Sequence, residues 1–192
     1  GFRTKNILVA KLIYESQDFN GFTKERVLAE RARTQLLNEK LLACPFIEYH
    51  QSGYESIIDK TYGTNYVNAK GETAYLNIMY VSPQFFQMFD IDIEEGAIPE
   101  KSGRNIYVLN RAAMKAMNFT SLEEAAVVED NRKRKDANAP MEPIVAVVKD
   151  YYNGHLSSGA APILYNVSGS GGPRHQIAFP EGKKQDLLNY LK

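Results

Sequence analysis

The sequence predicts an α/β (α+β) fold in which mixed β-sheets are packed with helices. Three observations lead to this fold class. Strand-like and helix-like runs interleave along all 192 residues of the chain. A long amphipathic pattern over residues 24–43 stands between two strand-like runs, which is typical of a β-α-β start. The β-branched run over residues 143–152 has the composition of a buried strand.

Composition places the chain among ordinary globular proteins and excludes several function classes. It is 44% hydrophobic and 24% charged, which suits one domain or two small lobes. Because 23 basic residues balance 23 acidic ones, no overall field attracts nucleic acid, and we expect no nucleic-acid partner. The single cysteine, Cys44, cannot form an internal disulfide and is interpreted as a buried thiol.

The sequence contains no segment that resembles a membrane anchor. No run approaches the roughly 20 apolar residues that cross a bilayer, and the first residues lack the apolar centre of a signal peptide. We therefore expect a water-soluble chain. Gly1 in place of methionine indicates processing or excision from a longer protein.

The first third of the chain predicts one long helix between strands. Residues 6–16 read as a strand, and a helix begins after the capping Thr23 and covers residues 24–43. A second strand follows at residues 46–52. Residues 53–71 are rich in Tyr, Gly, Asn and Lys without a clear period, and they are interpreted as a loop or an edge strand.

The aromatic stretch YVSPQFFQMFDIDIEEG, residues 80–96, has three possible interpretations: a ligand box, a membrane anchor or part of the core. A Ser-Pro pair at 82–83 predicts the start of a short helix that carries three phenylalanines on one face. A membrane-binding helix would need Lys or Arg opposite these rings, and this helix has Gln84, Gln87 and Asp90. We therefore predict that the phenylalanines are core residues. They are Phe85, Phe86 and Phe89.

The remainder of the chain continues to alternate between strands and helices. Asn110 predicts an N-cap, and the spacing of Ser121 and Glu124 matches a capping box. The predicted elements are strands at 91–95, 105–110, 143–152, 162–167 and 176–179, helices at 111–117, 122–126 and 181–192, a polar connector at 131–140 and a loop at 168–175.

No motif predicts catalysis or metal binding. His50, His155 and His175 lie far apart without metal-ligand spacing, so they would form a site only if folding brought them together. The glycine-rich run 168–174 lacks the phosphate-binding signature, and the basic run 132–135 is interpreted as a solvated loop beside acidic residues. We predict no catalytic, cofactor-binding or metal-binding residues, and no cofactor.

Three segments, in this order, resemble one protein family. YVSPQFFQMFDIDIEEG is similar to a pattern of strand, Ser/Thr/Asp-Pro-x-Phe-Phe and glycine-closed extension, and IYVLNRAAMKAMNF is similar to a strand, an Asn and an Ala-rich helix. IVAVVKDYYNGHLSSGAAPILY resembles the pattern V-x-G-V-x-K-D-[FY]-[HY] followed by Ser-Leu and Pro. The family is the extracytoplasmic (periplasmic) core domain of FtsX/MacB-type ABC transporter permeases, in its Bacteroidetes-like form. Departures are Arg111 where the family has Glu, Ala146 where it has Gly, and VVED in place of I-G-K.

The resemblance implies a single extracytoplasmic domain over residues 1–192, belonging to a bacterial inner-membrane protein. It implies a porter-like lobe from residues 1–72 and 161–192, with a smaller inserted lobe at 73–160. The implied function is non-catalytic coupling of ATP-driven transmembrane motion to substrate or partner handling in the cell envelope. The implied partners are the parent transmembrane helices and a cytoplasmic ABC ATPase, together with envelope proteins or an exported substrate, and a homodimer in the full transporter.

Two other functions remain open at this stage. An extracellular ligand-sensing domain of a membrane receptor would have the same alternation of strands and helices, and the Tyr-rich stretch 54–66 would suit it. A stand-alone enzyme would use Asp, Tyr and His residues around KDYYNGH, residues 149–155.

Overall fold

The computed structural model describes residues 3, 5–11, 24–53, 62–99, 106–151, 159–167 and 174–192. The chain divides into two compact units. Unit 1 comprises Gly1–Arg3 and Glu55–Ser170, and unit 2 comprises Thr4–Tyr54 and Gly171–Lys192.

The strands are β1 (Ile7–Lys11), β2 (Tyr49–Gly53), β3 (Tyr62–Asn68), β4 (Thr73–Val81), β5 (Ile93–Gly96), β6 (Ile106–Asn110), β7 (Ala126–Glu129), β8 (Glu142–Val148), β9 (Ile163–Val167) and β10 (Arg174–Ala178). The helices are α1 (Lys24–Ala43), α2 (Phe85–Met88), α3 (Arg111–Ala116), α4 (Asp130–Lys135) and α5 (Lys184–Tyr190). No helix in the described ranges combines the length and the hydrophobicity that a membrane crossing requires.

Unit 2 is a three-stranded antiparallel sheet with two helices. The sheet has the order β1-β10-β2, so its central strand comes from the end of the chain. The core of the unit contains Leu41 and Cys44 from the end of α1 and the residue after it, together with Leu187 from α5. The predicted bounds of α1 and the buried thiol are both confirmed.

The apolar stripe predicted on α1 is only partly buried. Leu41 is in the core and Leu37 packs against it, whereas Leu28 and Leu36 are 54% and 58% exposed. The amphipathic helix is thus present as predicted, but these two leucines of its apolar face are not buried. Sequence periodicity shows that a helix has an apolar face but not how much of that face a small sheet covers.

Unit 1 contains a sheet that closes on itself. Its strands follow the order β5-β8-β6-β9-β4-β3-β7, and β7 also pairs with β8. Six strands, all except β5, therefore form a ring, and β5 extends the sheet beside β8. Side chains from all six strands of the ring meet in one core, and α3 packs against one end of it through Met114 and Met117.

Three secondary-structure predictions in unit 1 are wrong. Residues 62–68, part of a stretch interpreted as loop or edge strand, form β3, which is paired on both sides, with β4 and with β7. Residues 122–126 form a turn and the start of β7, since residues 126–129 pair with β3 and β8. The segment predicted as a polar connector, 131–140, begins with helix α4. This helix has no apolar face, so hydrophobic periodicity did not predict it.

The units divide the chain at different residues from the two predicted lobes. The prediction placed residues 1–72 and 161–192 in one lobe. In the structure β3 and β9 lie in the ring of unit 1, where β3 pairs with β4 and β9 pairs with β4 and β6. By their pairing, β3 and β9 therefore belong to unit 1, although the prediction had assigned both to the porter-like lobe.

Candidate functional site

The Phe-rich segment lies in the core of unit 1. Phe85, Phe86 and Phe89 are all buried, and the rings of Phe85 and Phe86 lie 5.9 Å and 5.1 Å from that of Tyr165 in β9. The T-shaped contact between Phe86 and Tyr165 is a geometry that aromatic pairs prefer. The core interpretation is therefore confirmed. The helix itself begins at Phe85 with Gln84 at the N-cap position, and not directly after Ser82 as predicted.

A buried asparagine connects β6, α3 and β9. Asn110 Oδ1 accepts hydrogen bonds from the backbone N–H groups of Ala113, at 3.0 Å, and Ile163, at 2.8 Å. Its Nδ2 donates to the carbonyl of Ala161 at 2.8 Å. The predicted N-cap is confirmed, and the same side chain also fixes the start of β9, so its role is structural.

Asp150 and Arg111 complete the surroundings of α3. Asp150 Oδ1 accepts the N–H of Ala112 at 3.0 Å, which satisfies another amide of the first helical turn. Arg111, at the position where the resembling family has Glu, bonds to Glu94 and lies 2.6 Å from Glu95 of β5. These two hydrogen-bonded carboxylates, Glu94 first, raise the pKa of Arg111. The substitution is thus accommodated by acidic partners on the neighbouring strand.

Two of the three histidines lie in contact, which no local sequence pattern had indicated. His50 in β2 and His175 in β10 lie on adjacent antiparallel strands, with His50 Nε2 at 2.9 Å from His175 Nδ1 and parallel rings 5.2 Å apart. Burial, and to a smaller extent the nearby His175, lower the pKa of His50 to about 4, and burial also lowers the pKa of His175. Both rings are therefore neutral at neutral pH. His155 lies outside the described residues.

The histidine pair does not form a metal centre by itself. Within the described ranges no group of three or more His, Cys, Asp or Glu side chains is placed to hold a metal ion. A contact between histidines can be recognised in a sequence only when they have the fixed spacing of a ligand motif. His50 and His175 are 125 residues apart and meet only because their strands pair.

Four tyrosines gather at the end of the unit 1 ring that lies away from α3. Tyr66 is opposite Glu129 of β7, and Tyr80 and Tyr107 flank Asn166 of β9 on either side in the sheet register. Tyr62 lies four residues before Tyr66 and, because side chains alternate along a strand, on the same face of β3. We call these residues, Tyr62, Tyr66, Tyr80, Tyr107 and Asn166, the tyrosine end of the ring.

Electrostatic effects confirm that the side chains of the tyrosine end are neighbours. Burial raises the pKa of Tyr66, and Tyr107 and Glu129 raise it further. Burial likewise raises the pKa of Tyr107, with Glu142 as the next contributor. The hydroxyls of Tyr66 and Tyr107 are therefore protonated at neutral pH. The sequence pointed only to a Tyr-rich stretch at 54–66, since the other two tyrosines arrive through β4 and β6.

The remaining sequence candidates have ordinary structural surroundings. Two arginines of the basic run are paired with acidic residues, Arg132 with Glu142 at 3.1 Å and Arg134 with Asp130 at 2.6 Å. Most of the KDYYNGH motif and of the glycine-rich run lies in residues 152–158 and 168–173, which are outside the described residues.

Comparison with known proteins identifies the fold. No family model and no curated protein matches the chain. Among solved structures, the periplasmic region of MacB from Actinobacillus actinomycetemcomitans is similar, with a TM-score of 0.57 and 14% identity over 96% of this chain and 79% of that chain.

Two further solved structures agree. The extracellular domain of YknZ, an ABC-type transporter from Gram-positive bacteria, has a TM-score of 0.58 and 9% identity over 95% of this chain and 88% of that chain. A domain described as part of a permease from Porphyromonas gingivalis has a TM-score of 0.53 and 12% identity over 77% of this chain and 70% of that chain. The resemblance read from the sequence is thereby confirmed at the level of the fold, and this chain has the fold of the extracytoplasmic domains of MacB-type ABC transporter permeases.

Proposed function

We propose that this chain is the non-catalytic extracytoplasmic domain of an ABC transporter permease. The observation that carries the proposal is the fold shared with MacB and YknZ domains over at least 95% of the chain. Motifs such as the Asn110 N-cap and the Phe-rich helix, which suggested the family from sequence, are structural elements of unit 1. A fold alone does not fix a function, so the proposal needs its own test.

In this role the domain belongs to a bacterial inner-membrane protein and lies on its periplasmic side. Transmembrane helices of the parent protein and a cytoplasmic ABC ATPase are its partners. ATP hydrolysis moves the helices, and the domain passes that movement to an exported substrate or an envelope protein. Two such domains meet in a homodimeric transporter. In this proposal unit 2 corresponds to the predicted porter-like lobe and unit 1 to the predicted inserted lobe, with β3 and β9 belonging to unit 1.

The first test is the sequence of the parent gene on either side of residues 1–192. A permease requires a hydrophobic segment of about 20 residues directly before residue 1 and another soon after residue 192. Absence of both segments from the parent gene would rule the proposal out.

The second test uses the full-length parent protein with its ATPase, reconstituted in lipid vesicles. We expect a parent in which residues 1–192 are replaced by a Gly/Ser linker to keep basal ATP hydrolysis and lose export or partner engagement. If ATP hydrolysis required side chains of this domain, the domain would not be a passive coupling module.

A ligand-sensing domain of a membrane receptor is the second candidate. The tyrosine end of the ring favours it, because clustered aromatic side chains around a buried amide are a common design for small-molecule sites. The discriminating observation is the cytoplasmic part of the parent, which would be a kinase or cyclase in place of permease helices.

A further inference from the structure

The tyrosine end of the ring is reachable from solvent. Tyr62 and Tyr80 are 69% and 40% exposed, Tyr107 is half-buried, and Tyr66 lies buried behind them. At the opposite end the ring is filled by α3 and its methionines. One end of the ring is therefore closed by packing, and the other presents aromatic rings to the surroundings.

A buried acceptor without a partner lies among these rings. Asn166 is only 6% exposed, and its Oδ1 has no hydrogen-bond partner within the described part of the chain. Its neighbours across the sheet on the two sides are Tyr80 and Tyr107, which lie on the same face of the ring. Buried polar atoms of native proteins are almost always bonded, so an unbonded carbonyl oxygen here indicates a donor that arrives from outside the chain.

The charges at this end are unbalanced toward the negative. Glu129, opposite Tyr66, makes no ion pair within the described ranges, and Glu142 shares its carboxylate with Arg132. Among the described residues at this end, the carboxylates of Glu129 and Glu142 and the guanidinium of Arg132 sum to a net charge of about −1. Tyrosine faces and carboxylates both attract positive charge.

We propose that the tyrosine end of the ring binds a small organic cation that carries N–H donors, an alkylammonium or guanidinium group. The cation lies against the faces of the exposed tyrosines, one N–H donates to Asn166 Oδ1, and the carboxylate of Glu129 balances the charge. This inference does not depend on the parent protein being a transporter.

Other ligand classes fit less well. An anion would meet Glu129 and Glu142 with only one guanidinium, already paired, to offset them. A neutral sugar could donate to Asn166 and stack on tyrosine, but it would leave the charge of Glu129 without a partner. An apolar ligand would leave the Asn166 carbonyl oxygen unsatisfied.

The experiment is a titration of the 192-residue chain with n-butylguanidinium and n-butylammonium at constant ionic strength, followed by amide NMR shifts. Glucose and butyrate serve as the neutral and anionic comparison probes. We expect saturable binding of at least one cation in the millimolar range, with shifts concentrated at the tyrosine ends of β3, β4, β6 and β9, and no saturation with glucose or butyrate.

Two variants and one matched control make the test specific. Glu129→Gln is expected to weaken cation binding by about five- to tenfold, because it removes the unpaired charge. Glu123→Gln removes an equivalent exposed charge before the start of β7, at the far end of the ring, and is expected to leave the affinity unchanged. Asn166→Leu removes the acceptor and is expected to weaken binding without lowering the urea midpoint of unfolding.

The inference is overturned if neither cation saturates, or if glucose or butyrate binds at the same residues as tightly as the cations. It is also overturned if Glu129→Gln binds as well as Glu123→Gln. If Asn166→Leu fails to fold, the affinities of Glu129→Gln and Glu123→Gln alone determine whether the inference stands.

Discussion

At the scale of single residues, Asn110 shows how one buried polar side chain connects several elements of the fold. Asn110 makes three hydrogen bonds that join the end of β6, the start of α3 and the start of β9. The N-cap was predictable because a local pattern of Asn before an Ala-rich run encodes it. The bond to Ile163 was not predictable, since it depends on a strand 53 residues further along the chain.

The connecting role of Asn110 predicts a large cost for its removal. Asn110→Ala loses a helix cap and leaves the buried N–H of Ile163 unsatisfied, so we expect the free energy of unfolding to fall by about 3 kcal/mol. Urea unfolding monitored by circular dichroism measures this change.

Asn77→Ala is the matched control for Asn110→Ala. It removes one 3.2 Å hydrogen bond to the carbonyl of Pro162, which still accepts the backbone N–H of residue 77. We therefore expect the free energy of unfolding to fall by only about 1 kcal/mol. Equal effects of the two substitutions would contradict the role given to Asn110.

The histidine pair predicts a pH dependence of stability. The folded-state pKa of His50 is about 4, below its unfolded value of about 6.5, so the unfolded chain binds more protons between these values. Stability is therefore complete above about pH 6.5 and falls as the pH drops toward about 4, by roughly 2 kcal/mol after allowance for partial exposure of the ring.

Urea unfolding across this pH range measures the dependence, with His50→Phe as the comparison. The variant is expected to flatten the curve between about pH 6.5 and pH 4.5. Carboxylates such as Glu124, whose pKa the backbone N–H and the hydroxyl of Thr120 lower to about 2, act only at lower pH. An unchanged slope in the variant would show that the pair does not control acid stability.

At the scale of elements, local patterns were predictable and long-range pairing was not. The Phe-rich helix and the β-branched strand β8 were recognised because apolar residues at helix or strand spacing specify burial directly. The capping box predicted from Ser121 and Glu124 is replaced by another contact: Glu124 accepts from both the N–H and the hydroxyl of Thr120, and no helix follows. Pairing of the next residues with β3 and β8 overrides the local signal.

Helix α2 offers a direct test of the core interpretation. Phe86→Ala removes a buried ring that contacts Tyr165 and Phe85, so the free energy of unfolding should fall by about 3–5 kcal/mol. Gln87→Ala, on the exposed side of the same helix, should change it by less than about 0.5 kcal/mol. Urea unfolding of the two variants measures both changes. A loss at Phe86 as small as that at Gln87 would contradict the core interpretation and favour the ligand-box interpretation.

The glycine that ends β5 provides a second element-scale prediction. Gly96 has φ +74°, and a Cβ there would lie 2.2 Å from the carbonyl oxygen of Val145 in β8. Gly96→Ala should therefore lower the free energy of unfolding by more than about 3 kcal/mol, because it adds backbone strain and also displaces β5.

Gly71→Ala separates backbone strain from displacement. Gly71 has a similar φ of +82° but open space around it, so only backbone strain of about 1–2 kcal/mol is expected. Thermal unfolding of both variants measures the difference, and equal losses would mean that β5 shifts without cost.

At the scale of the whole molecule, the division into units follows from which strands pair. The sequence indicated strands and helices in nearly the right order, and the fold class followed from that alternation. It could not indicate that β7 closes the ring on β8, or that β10 returns to the centre of the sheet begun by β1 and β2. Both pairings join residues distant in sequence, for which no local pattern exists.

The two units should differ in their ability to fold alone. A chain of residues 55–170 contains the complete ring and its core, so we expect cooperative urea unfolding and dispersed amide NMR signals. Residues 4–54 alone lack β10, the central strand of their sheet, and should remain unfolded. An unfolded 55–170 fragment would show that unit 1 depends on the rest of the chain.

Closure of the ring also bears on how unit 1 answers a mechanical load. An open sheet can peel from an outer strand, one bond after another, and yields to a weak pull. In the ring each strand is held along two seams at once, so tension on any one strand is shared between its neighbours. Unit 1 is therefore expected to resist such peeling better than an open sheet of the same six strands would.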